Sequence, residues 1–137
     1  MKKLIMFCLT TRNDDFKFIK SLGYKAVGLG KNIFLDNFLK DNTMENISFK
    51  NSFYGEYTFH YWLWRNNFKH IDNEWIGFCQ YRKFWINNET ILKRKNITEL
   101  DFKKNILKNI SNEQDQFESI IGDPIFVNNF KLSKLIK

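Results

Sequence analysis

The chain has 137 residues, of which 43% are hydrophobic and 18% aromatic, with a single Pro and six Gly. That is core material for one domain, and it excludes both global disorder and a chain divided by Pro/Gly-rich linkers. The formal charge of +7 favours polyanions such as nucleic acid, anionic lipid or nucleotide phosphates, although a Lys-rich solvated surface explains it equally well, and no long block of like charges marks a basic tail.

Lys3–Thr10 (KLIMFCLT) is a continuous apolar run with a polar exit, which predicts a strand buried on both faces, as in a parallel sheet. The opening MKKLIMFCLTTRNDD is too short in its apolar part, and wrongly flanked, for a signal peptide, and no run is long enough for a membrane span. The expectation is a cytoplasmic protein, with the inner face of the membrane a compatible place of work. Asn13 or Asp14 is expected to cap a helix over roughly Asp15–Leu22, with Phe16, Ile19 and Leu22 at helical spacing and Gly23 as its stop. Tyr24–Leu29 then reads as a second strand, completing a β-α-β opening and placing the chain in the α/β class. Gly28-x-Gly30 lacks the third glycine of a dinucleotide fingerprint and reads as a turn. Ile33–Leu39 is expected to form one or two helical turns, and Lys40–Ser48 a loop.

The stretch Asn46–Phe84 concentrates the unusual residues: Trp62, Trp64 and Trp75, both His (His60 and His70), Cys79, Arg65 and Arg82. Glu56–Asn67 predicts a helix with Tyr57, Tyr61 and Trp64 on one face and Phe59, Trp62 and Leu63 on others, hence apolar all round and buried. Asp72–Glu74 is a connection, Trp75–Cys79 (WIGFC) a central strand, and Gln80–Lys83 its exit. Ile91–Ile110 is polar and weakly helical, and Phe117–Val127 reads as a strand broken at Gly122-Asp123-Pro124. Cys8 and Cys79, each in an apolar run, read as buried free thiols of a reducing compartment and offer no metal spacing.

No triad spacing, HExxH, P-loop, zinc pattern or Asp-x-Asp is present. The strongest chemical candidate is the strand exit Gln80-Tyr81-Arg82-Lys83, because ligands of open α/β sheets bind at the carboxyl ends of strands. Arg can grip a phosphate in bidentate fashion and Lys adds a mobile charge, so Arg82 and Lys83 could hold a diphosphate. Alternatively they are solvated, or paired with Glu56 or Asp41. Glu56 suits a helix N-terminus on structural grounds alone, and could also accept a hydroxyl or act as a general base. His60 reads as a core histidine with its hydrogen bonds satisfied. Asn46, Ser48 and Asn51 form a polar loop that either binds hydroxyls or caps the helix.

The pattern NIS…KN…Y-x-E-x-T-x-x-Y-W-x-W followed by I-G-x-C-x-Y-R-[RK]-F resembles a domain-of-unknown-function family from bacterial capsule and exopolysaccharide gene clusters, whose members are described as glycosyltransferases. The matching residues are Asn46, Ile47, Ser48, Asn51, Tyr54, Glu56, Thr58, Tyr61, Trp62, Trp64 and Asn66, then Ile76, Gly77, Cys79, Tyr81, Arg82 and Phe84. Many members carry His where this chain has Gln80 and Arg where it has Lys83, so a His base is not available at that position and the second cation loses its planar fork.

The resemblance implies a partial glycosyltransferase-A-like (Rossmann-like) sheet with flanking helices. Family members are longer, so residues 1–137 are expected to be a single, incomplete, donor-binding N-terminal part. It further implies transfer from a nucleotide-sugar donor to a glycan or lipid-linked acceptor, with Glu56 as the catalytic candidate. Asn46, Ser48, Asn51, Gln80, Tyr81, Arg82 and Lys83 are the substrate-binding candidates. No divalent metal or other cofactor is called for, and peripheral contact with the membrane is compatible. The alternatives are a basic, aromatic-rich module binding nucleic acid, which a buried aromatic helix disfavours, and an inactive fragment.

Overall fold

The computed structural model describes residues 2–66, 74–87 and 97–122. It is a mixed α/β structure built on β1 (Lys2–Thr10), the longest strand. β1 pairs in parallel with β2 (Lys25–Gly28) from Phe7↔Lys25 to Thr10↔Gly28, and with β4 (Trp75–Gln80) from Leu4↔Trp75 to Leu9↔Gln80. β3 (Leu39–Lys40) extends the sheet beyond β2 in parallel. β5 (Asn109–Ile110) pairs antiparallel with Lys2 and Lys3. The order β3-β2-β1-β4 makes β1 central and puts β4 at the end of the row among the described residues. The strand expected at Trp75–Cys79 therefore exists, but the centre of the sheet belongs to the N-terminal run.

Alternation along β1 explains its unbroken apolar sequence. Met6 and Cys8 face one core, with Ile19, Leu22, Phe34 and Ile106 among its members. Phe7 and Leu9 face the other, with Val27, Phe59, Trp62 and Leu63. α1 (Phe16–Ser21) supplies Ile19 to the first core; the short α2 (Asn51–Tyr54) leads to α3 (Tyr57–Asn66), which supplies Phe59, Trp62 and Leu63 to the second. α4 (Glu99–Asn105) leads into Ile106 and Leu107, and the buried Leu107 carbonyl accepts the Tyr24 hydroxyl at 2.6 Å. Cys8 and Cys79 are register partners on neighbouring strands, both buried and free, as the sequence implied.

Several expectations need correction. α1 is preceded by a 3-10 turn at Asn13–Asp15, and neither Asn13 nor Asp14 caps a helix; Asn13 instead bonds the backbone of Ile33 and Leu35. Gly23, at φ +81, does end α1, since its N–H and that of Tyr24 return to Lys20 and Ile19. Residues 33–38 form no helix: Phe34 and Phe38 turn into the core 5.0 Å apart, and Leu39 pairs with Val27 as a strand. α3 is one-sided rather than buried all round. Thr58, Phe59, Trp62 and Leu63 are inside, while Tyr57 and Trp64 are 65% and 61% exposed. Residues 117–122 form no strand, and Asp123–Val127 lie outside the described residues, as do 67–73 and 88–96, which include His70.

Two strand glycines differ in what surrounds them. A Cβ on Gly28 would run into the ring of Phe34, whereas one on Gly77 would meet the flexible end of Met6 at 2.6 Å. Gly28→Ala is expected to lower the unfolding free energy by about 1–3 kcal/mol through overpacking, and Gly77→Ala by less than about 1 kcal/mol. Urea titration of the two variants checks the contrast, and equal midpoints would contradict it.

Candidate functional site

Three parallel strands end together. At the end of β1 the buried Thr10 hydroxyl donates to Asp15 Oδ2 at 2.5 Å and accepts the Arg12 N–H at 3.0 Å. Arg12 Nε lies 3.8 Å from Asp15 Oδ1. At the end of β2 the chain turns at Gly30, whose N–H donates to Asp41 Oδ1 at 2.8 Å. Asp41 Oδ2 takes the Thr58 hydroxyl at 2.5 Å. Asp41 has no exposed surface. Burial pushes its carboxyl above the ordinary value, and the bonds from Thr58 and Gly30 pull the other way. Asn51 closes the set, donating to the Gly55 carbonyl at 2.8 Å and to Thr58 Oγ1 at 3.1 Å. The loop after β2 is thereby tied to the first turn of α3.

At the end of β4, Gln80 Nε2 donates to Glu56 Oε1 at 3.0 Å. Gln80 and Lys83 exchange backbone bonds in a tight turn, and the Tyr81 N–H stays on the Leu9 carbonyl, so the exit does not leave the sheet. Arg82 stacks its guanidinium 4.9 Å from the centre of the Tyr81 ring, and Arg12 approaches the same ring at 5.7 Å. A cavity of about 470 Å³ opens here, lined by Glu56, His60, Gln80, Lys83, Phe84 and Trp85 among others. A second cavity of about 550 Å³ is lined by Leu4, Met6, Trp75, Gly77 and Ile110, with Lys2 and Glu74 among its polar members; Phe78 and Trp85 line both. Trp85 is fixed by its Nε1, which donates to the Phe78 carbonyl at 2.8 Å.

The predicted residues thus fall into four groups, the first being Asn51 alone, in the Asp41–Thr58 set. Glu56, Gln80 and Lys83 meet at one cavity. Tyr81 and Arg82, between Gln80 and Lys83 in the chain, do not line it, and neither Arg82 nor Lys83 pairs with Glu56 or Asp41, whose bonds go to Gln80 and to Gly30 and Thr58. Asn46 and Ser48 lie apart. Asn46 Oδ1 accepts the Ser48 N–H and hydroxyl, and its Nδ2 donates to the Met44 carbonyl, so these groups shape their own loop. That loop is clamped to α3 by the fork of Arg65 on Glu45, at 2.7 and 2.9 Å, and by Trp62 Nε1 on the Thr43 carbonyl.

His60 departs from its expected role. Its ring packs 4.2 Å from Phe78 and edge-on to Tyr57, yet Nε2 is shut from solvent with no hydrogen-bond partner. Burial lowers its pKa below the usual 6.5, against the pull of Glu56 one helical turn earlier. Cys79 also lines the cavity, but its thiol is held protonated by the hydrogen bond to Cys8 and by burial, which removes it as a nucleophile. Among the described residues no group of three or more His, Cys, Asp or Glu is assembled to hold a metal ion. Arg12, Asp41 and Thr58 were not singled out as site residues from the sequence. Arg12 carried one available signal, its place in the first turn after a parallel strand.

The family model described as Domain of unknown function (DUF4422) matches residues 8–130, nearly the whole chain. No curated protein and no solved structure matches.

Two stability predictions follow from the buried groups. Thr58→Val leaves an Asp41 oxygen without its donor and is expected to cost about 1–3 kcal/mol in urea denaturation. His60→Phe removes the unpartnered nitrogen and is expected to match or exceed the wild type by up to ~1 kcal/mol at pH 7.5. Because the folded-state pKa of His60 is depressed, the unfolded chain takes up the proton first as pH falls below 6.5, and stability is lost through that window. The variant should therefore lose less stability than the wild type between pH 7.5 and pH 5.5; the same loss in both would place the titration elsewhere.

Proposed function

We propose that this chain, which belongs to the DUF4422 family, is the donor-binding part of a glycosyltransferase-like protein of surface-polysaccharide biosynthesis. The donor would be a nucleotide-sugar and the acceptor a glycan or a lipid-linked sugar. The observation that carries the reading is the cavity at the carboxyl ends of β1 and β4, which Lys83 and Glu56 both line. Cytoplasmic action at the inner face of the membrane belongs to the same reading. Among the described residues no helix is long and apolar enough to cross a membrane.

In this mechanism the bond from the anomeric carbon to the diphosphate breaks as a bond to the acceptor oxygen forms. The leaving diphosphate keeps the electron pair, and preorganised cations stabilise its charge more than they would in water. Lys83 supplies that charge inside the cavity, with Arg82 and Arg12 able to fork onto phosphate oxygens. Glu56, with Oε1 oriented by Gln80, takes the acceptor proton or fixes a sugar hydroxyl. Tyr81 holds the two guanidinium groups near one another, and Asn51 braces the helix start that carries Glu56. Asn46 and Ser48 contribute by shaping the adjoining loop.

Calorimetry and thermal shift against UDP- and GDP-sugars, in chelator, test the proposal. At least one donor should bind, with affinity falling about tenfold in Lys83→Ala and several-fold in Arg82→Ala, the scale of a charge-assisted contact. Glu56→Gln should leave donor binding in place and abolish transfer. Binding indifferent to both cations, or a strict need for Mn²⁺ or Mg²⁺, would overturn the mechanism.

A further inference from the structure

The outer side of α3 and the turn before it carry rings that the core does not use. Phe53 is 87% exposed, and Phe49, Tyr54, Tyr57 and Trp64 each expose more than half of their surface. Tyr57, Tyr61 and Trp64 fall at i, i+4 and i+7 and so share one face of the helix. Lys50 Nζ lies 5.6 Å from the Phe49 ring and 6.0 Å from that of Tyr54, which gathers those three at the turn. Arg65 stacks on Trp64 at 5.1 Å.

The charges are sorted as well. Within residues 48–66 the lone carboxylate is Glu56, which is turned inward onto Gln80. Glu45, just before, is taken up by Arg65 and Tyr61. The outward surface is therefore aromatic, with Lys50 as the cation that no carboxylate of this segment offsets, on a chain of formal charge +7. Aromatic rings beside Lys and Arg are the composition of a surface that lies at the headgroup level of a bilayer.

We propose that Phe49, Lys50, Phe53, Tyr54 and the Tyr57–Trp64 face dock peripherally on an anionic phospholipid membrane. Phe49 and Phe53 enter the interface, and Lys50 meets the lipid phosphates. A single-stranded nucleic acid fits less well. Tracking its backbone takes a row of cations, and here Arg65 is committed to Glu45, leaving Lys50 alone among the exposed rings. The benefit of such docking rests on the transferase reading: Glu56 and His60, on the inner side of the same segment, would be held beside a lipid-linked acceptor.

Flotation of the full chain with vesicles tests this, using phosphatidylcholine with and without phosphatidylglycerol. The chain should float with the anionic vesicles, less with neutral ones, and be released by salt. The double variant Phe49→Ser/Phe53→Ser should lower the partition coefficient by at least about tenfold, and Lys50→Glu should abolish the preference for anionic lipid. Both changes are at exposed positions, and unchanged thermal melting would show that the fold is intact. No flotation, or flotation indifferent to these variants, overturns the proposal. So does oligo(dT) binding, or self-association, that the same variants remove without any vesicle binding. If vesicles bind but no nucleotide-sugar does, the surface stands and the transferase reading falls. The converse result leaves that reading and removes the surface.

Discussion

A carboxylate with no access to water, Asp41, ties the carboxyl end of β2 to the start of α3. Its two oxygens join the backbone of Gly30, just after β2, to the hydroxyl of Thr58 in the first turn of α3. Taking a carboxylate out of water is costly unless donors replace the lost hydration, and here both oxygens are met. Thr58 lies two residues after Glu56 and two before His60. The latch therefore fixes the segment that carries both, relative to the strand ends. Packing alone, through Phe59, Trp62 and Leu63 on Phe7 and Val27, would hold α3 against the sheet without choosing its axial position so sharply.

With α3 so placed, opposite charges reach one space from two directions. Glu56 comes from the helix start and Lys83 from the turn after β4, and Gln80 bridges the two by bonding Glu56 with its side chain and Lys83 with its backbone. A site that sets a cation beside a carboxylate without pairing them leaves both available to a ligand. Had Lys83 closed onto Glu56, the two would have satisfied each other.

Legibility in the sequence tracked the kind of force involved. β1 and β4 were readable because packing on both faces favours apolar runs, and Leu4–Leu9 and Trp75–Cys79 are such runs; β2, whose run includes the exposed Lys25, was readable from its place after the helix stop at Gly23. The extent of α3 was readable, but its orientation was not. When Tyr57 and Trp64 are as aromatic as Phe59 and Trp62, hydrophobicity cannot tell the outside from the inside. Ile33–Leu39 reads as one or two helical turns, yet Phe34 and Phe38 gain more from the core beside Gly28 than a short helix could offer. Of the candidate site, Glu56, Gln80 and Lys83 could be named because they flank recognisable elements. Asp41 and Arg12 could not be placed, since a loop residue's partners are set by the tertiary fold and not by spacing.

The indole of Trp85 forms part of the boundary of two cavities, pinned at one edge by the carbonyl of Phe78 and otherwise held by packing. A partition of that kind has a mechanical corollary. Swinging the ring to make room on one side takes room from the other, so the two chambers compete for the same volume, and whatever fills one trims its neighbour.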